Sequence, residues 1–85
     1  LQYGNPGDFA LLVDADGQEP NAYLAYDAFD NLHRIQIEQL TSDFTRTLGR
    51  AANTGPLTPM NNEAPILFKR HGYYYLLFGE CCCFC

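Results

Sequence analysis

The sequence predicts an all-β fold, laid out as about one and a half blades of a β-propeller. Three observations predict it. Short apolar runs are punctuated by Asp, Gly, Asn and Pro clusters, the signature of strands and turns. Residues 34–40 (RIQIEQL) alternate with period two around Ile35 and Ile37, which favours a strand over the helix that Glu38, Gln39 and Leu40 would tolerate. Finally, two hairpins share one plan: an acid (Asp8, Glu63), an apolar strand, a turn and a Tyr-containing return strand. Repetition of an antiparallel unit along a chain is how blades announce themselves.

The elements follow in order. Residues 9–13 (FALLV) are the first strand. Asp14, Ala15, Asp16 and Gly17 supply turn chemistry, because Asp and Gly tolerate turn and left-handed backbone. Residues 22–28 (AYLAYDA) return, residues 34–40 form a third strand, and residues 42–47 are expected to add a short fourth strand at the edge. Residues 50–62 (RAANTGPLTPMNN) read as a polar loop with Gly55, Pro56 and Pro59. A fresh hairpin then runs over residues 65–70, turns at His71 and Gly72, and returns over residues 73–79. Gly72 suits a two-residue turn that needs positive φ. Tyr73, Tyr74 and Tyr75 alternate faces, so one face is expected in the core and the other at the rim.

A chain of 85 residues is one domain at most. At this size only roughly 60–65% of the unfolded surface is buried, so stability is marginal. Residues 1–85 are expected to be a partial domain, an internal piece of a longer protein with no separate second domain, whose blades depend on neighbours. Five Lys and Arg against ten Asp and Glu give a formal charge of −5. That argues against a nucleic-acid partner, which needs clustered cations. No apolar run approaches the ~20 residues of a membrane helix, so no membrane partner is expected. Neutral sugars remain, since they call for carboxylates and aromatic faces.

Glu63 precedes an apolar strand beside a tyrosine-rich return, a setting that can fix an acid at the mouth of a sheet. The ordinary reading of such an acid is a solvated loop residue, and of Asp8 a turn residue after Asn5, Pro6 and Gly7. Asp14 and Asp16 lack the further ligands of a calcium loop. His33 and His71 are single and far apart, which gives no partner for a metal or catalytic role. No cofactor is expected. Cys81, Cys82, Cys83 and Cys85 show no paired C-x-x-C spacing, so zinc is a weak reading. Disulfides to other segments or buried thiols are both open.

Two segments carry a family resemblance. Gly7-Asp8-Phe9-Ala10-Leu11-Leu12-Val13-Asp14-Ala15-Asp16-Gly17 with Ala22-Tyr23-Leu24-Ala25-Tyr26 is the first. Glu63-Ala64-Pro65-Ile66-Leu67-Phe68-Lys69-Arg70-His71-Gly72-Tyr73-Tyr74-Tyr75-Leu76 is the second and more specific. Together with Ile35 to Phe44 between them, they resemble glycoside hydrolase family 43, in its galactan 1,3-β-galactosidase-like branch. The resemblance implies a five-bladed β-propeller, secretion, and inverting hydrolysis of polysaccharide or oligosaccharide. In that mechanism a protonated acid and a base stand ~6.5–9.5 Å apart across the scissile bond. Glu63 aligns with the family's general acid, and Asp8 with the acid that raises the pKa of the first and orients it. The resemblance places the base outside these residues. The alternative is a propeller fragment that binds sugar or protein without catalysis.

Overall fold

The computed structural model describes residues 1–17, 19–48 and 57–80. Five strands form two antiparallel sheets. β1 (Pro6–Asp14), β2 (Asn21–Ala28) and β3 (Arg34–Gln39) make the first, in the order β1-β2-β3. β4 (Asn62–Arg70) and β5 (Tyr73–Glu80) make the second. A 3-10 turn, Phe29–Asn31, links β2 to β3. The all-β expectation and the strand at residues 34–40 hold, and both expected hairpins form.

Local chemistry explains each reversal. The Asp14 side chain accepts the Asp16 N–H at 3.1 Å and starts the turn after β1. The second hairpin turns on two residues, His71 at φ 50° and Gly72 at φ 80°, between the paired Arg70 and Tyr73. Positive φ at both central residues matches the right-handed twist of the flanking strands.

The expected fourth strand over residues 42–47 does not form. Only one bridge, Leu40 to Thr47, survives of it. Instead, pieces of connecting chain clothe the outer edge of β3. Leu48 N–H donates to Gln39 O, Leu57 N–H to Ile35 O, and Ile35 N–H to Thr58 Oγ1. The edge is satisfied by loop backbone and one hydroxyl, so no regular strand is needed there.

The sheets pack face to face, and the register defines the faces. Asp8 reaches Ala64 near one end and Asp14 reaches Lys69 near the other, so β1 and β4 run side by side in the same direction. Between the sheets lie Tyr23, Ile37, Leu67 and Tyr74 around an apolar cavity of about 200 Å³. Tyr23 and Tyr74 meet edge to face with ring centroids 5.8 Å apart. Ala25, Tyr26, Ala28 and Ile35 are fully enclosed, and burying an aliphatic side chain of that size contributes about 1.5–3 kcal/mol. The opposite faces stay open: Phe9, Leu11 and Val13 on the first sheet, Ile66, Tyr75 and Leu77 on the second. Tyr73, Tyr74 and Tyr75 are all exposed. This corrects the expectation that one face of that run enters the core. Tyr74 points at the first sheet, but at its rim.

β3 is buried on both faces. Beside Ile35, the polar Gln36 and Glu38 are also enclosed. Glu38 accepts a hydrogen bond from the buried Tyr26 hydroxyl and another from the Gln2 N–H at 3.0 Å. The amino-terminal residues thus lie over the polar half of the strand. Burial and the Glu38 contact push the Tyr26 phenol well above its ordinary range.

Candidate functional site

Asp8 and Glu63 come from adjacent sheets and lie at one end of the molecule. The sequence places each acid before its strand; instead each lies within one. The register of β1 shifts between Pro6 and Phe9, and that of β4 between Glu63 and Ile66. Asp8 falls inside the first bulge and Glu63 opens the second. A bulge bends the strand and re-aims its side chains. Across the gap, the Asp8 carboxylate accepts the Ala64 N–H at 3.2 Å. Asp8 is therefore tied to the backbone next to Glu63. Asp8 is exposed and Glu63 half-buried.

Backbone strain concentrates here. Asn61 (φ 64°) and Ala64 (φ 53°) flank the Glu63 segment, and Leu32 (φ 59°) and His33 (φ 55°) lie against it. Left-handed backbone is unfavourable for Ala and Leu. Such outliers persist only where surrounding structure holds them. The holding bonds are visible: Asn61 N–H donates to Leu32 O at 2.9 Å, and Asn62 N–H to His33 O at 2.8 Å.

A third acid stands at the same end. Asp27 is buried, and its Oδ2 lies 3.1 Å from His33 Nδ1. His33 thus has a partner, which distance along the sequence hid. The other oxygen, Oδ1, has no hydrogen-bond partner among the described residues. It packs against Gly7, where a Cβ would come within 2.0 Å of it and 2.7 Å of the Phe29 ring. Gly7 is required by this approach. Phe29 in turn meets His33 edge to face at 4.4 Å.

At the other end, Asp14 and Asp16 join a second cluster. Lys69 Nζ lies 3.0 Å from Asp14 and 2.9 Å from Asp16, and 5.4 Å from the centre of the Tyr74 ring. The Tyr74 hydroxyl also donates to Asp14. Those contacts, the Tyr74 hydrogen bond first, hold the Asp14 carboxyl down to about 2. They also push the Tyr74 phenol up to about 12 and the Lys69 ammonium well above its usual range. The cluster ties the two hairpin turns together. It explains the Asp-x-Asp pair without calcium.

No group of three or more His, Cys, Asp or Glu among the described residues is arranged to hold a metal. No helix of the described residues is long and apolar enough to cross a membrane. Cys81, Cys82, Cys83 and Cys85, and with them the disulfide and zinc readings, lie outside the described residues. Comparison with protein-family models, with curated proteins and with solved structures finds no match.

Proposed function

We propose that this chain contributes the acid half of a glycoside hydrolase site, set in stacked blades of a five-bladed propeller. One observation carries the reading. Two acids singled out in the sequence, 55 positions apart, sit at bulges in neighbouring sheets, and one binds the backbone beside the other. Four left-handed residues crowd the same place. The apolar outer faces of both sheets support the blade reading, since each blade of a propeller is covered on both sides.

In this mechanism Glu63 is the general acid. It donates its proton to the glycosidic oxygen as the C–O bond breaks. Asp8 holds the Ala64 N–H and fixes the backbone next to the acid. A base contributed from beyond these residues takes a proton from water as that water attacks the anomeric carbon from the opposite face. The substrate class is a galactan or a related galactoside or arabinoside in the extracellular space.

The test uses the full-length protein on β-1,3-galacto-oligosaccharides and on aryl glycosides. Glu63→Gln should lower kcat on the oligosaccharides by about 10²–10⁴-fold. The loss should shrink on nitrophenyl glycosides, whose leaving group needs no proton. Equal turnover of wild type and variant on the oligosaccharides would sink the acid assignment. Retained sugar binding in a protein with no turnover at all would favour the binding propeller.

A further inference from the structure

Glu63 has a support that the acid assignment does not use. Its segment enters β4 through two hydrogen bonds, Asn61 N–H to Leu32 O and Asn62 N–H to His33 O. Both acceptors belong to left-handed residues. Leu does not favour that conformation, and His tolerates it without preferring it, so the two carbonyls are aimed by their surroundings as well as by local preference. His33 is gripped from three sides. The His33 N–H donates to Ala28 O at 2.9 Å. The imidazole Nδ1 binds Asp27 at 3.1 Å, and the ring stands against Phe29. Asp27 is itself enclosed: it is buried, and Gly7 closes over its second oxygen.

We propose that Asp27 and His33 form a positioning dyad for Glu63. Asp27 fixes the ring of His33; His33 fixes its own left-handed backbone; that backbone aims the carbonyls that seat Asn61 and Asn62, and so the acid that follows. The proposal rests on the reading of Glu63 as the general acid for its catalytic consequence, but not for its geometry. The carboxylate accepts from the Nδ1–H, which leaves Nε2 without a proton in the neutral ring.

Asp27→Asn in the full-length protein tests this. The amide can still face the ring, but it no longer imposes one tautomer. Ring nitrogen NMR shifts should show one tautomer of His33 in wild type and a mixture in the variant. Hydrogen exchange of the Asn61 and Asn62 amides should quicken about tenfold, while the β1–β2 ladder amides of Ala10 and Leu12 stay protected. On the β-1,3-galacto-oligosaccharide, kcat should fall with KM held within about twofold, the pattern of lost positioning and not of lost binding, while turnover of the nitrophenyl glycoside changes less. If Asp27→Asn fails to fold, His33→Asn is the second variant. Asn tolerates left-handed backbone but lacks the ring, and the same two amides should again exchange faster. Unchanged exchange at Asn61 and Asn62 in a folded variant overturns the proposal. A wild-type protein without glycosidase activity would remove the acid reading alone, because tautomer and exchange are read without turnover.

Discussion

At the scale of the residue, Asp14 shows how a short turn sequence is put to a second use. Its carboxylate starts the turn, pairs with Lys69 and accepts from Tyr74. Its pKa is lowered from 3.8 to about 2. A lowered carboxylate pKa stabilises the fold fully above the unfolded value and loses that effect as pH falls through the folded one. Tyr74 is raised from 10.0 to about 12, so its contribution is complete below 10.0 and lost as pH rises through about 12. The clamp between the two turns is therefore constant from about pH 4 to pH 10 and opens on either side. Carboxyl carbon NMR should give an Asp14 midpoint near 2 in the full-length protein, and a midpoint near 3.8 would mean that the clamp does not form. Legibility at this scale was uneven. Asp8 and Glu63 were readable because each stands before an apolar run in a repeated plan. Asp27 and His33 were not, because two left-handed residues, Leu32 and His33, fold the chain back between them. Nothing in the pair Leu-His signals that conformation. Gly7 offered the only hint, and a glycine beside Pro6 reads as an ordinary turn.

At the scale of the element, the second hairpin is the most local piece of the fold. Its turn needs positive φ at both positions, and only Gly72 adopts this at no cost. His71→Asn should stabilise the protein by about 0.5 kcal/mol, because Asn-Gly is the preferred pair there. Gly72→Ala should destabilise it by about 1 kcal/mol or more. Urea midpoints at constant m-value decide both, and a destabilising His71→Asn would show that His71 makes contacts worth more than its backbone preference. The strands were legible from apolar runs, and the period of residues 34–40 correctly chose strand over helix. Period alone did not reveal that β3 is covered on both faces. That cover comes from residues distant in sequence: Gln2 on Glu38 from one side, and the second sheet from the other. The expected fourth strand failed for a related reason. The edge it would have paired with already spends its carbonyls on Leu48 and Leu57.

At the scale of the whole molecule, the two open faces set the main question. Leu11 and Leu77 are more than half exposed, at 58% and 53%. Substitutions on a true surface stay within about 0.5 kcal/mol of wild type. If further blades cover these faces in the full-length protein, Leu11→Gln and Leu77→Gln should each cost more than about 1.5 kcal/mol by denaturant unfolding. Values inside the surface range would argue against stacked blades. The clothed edge of β3 has a different consequence, for how copies of the chain meet one another. A sheet edge with unused N–H and C=O groups is a template on which another chain can grow. Here the template is masked by Leu48, Leu57 and Thr58, which offer a partner no continuous ladder. The mask is made of connecting chain, the part of a fold most open to proteolysis and insertion. A nick or a lengthened loop in that connection would leave the native sheets intact and uncover a site for aggregation. The sensitivity of this fold to misassembly therefore lies in connecting chain that touches its core through Thr58.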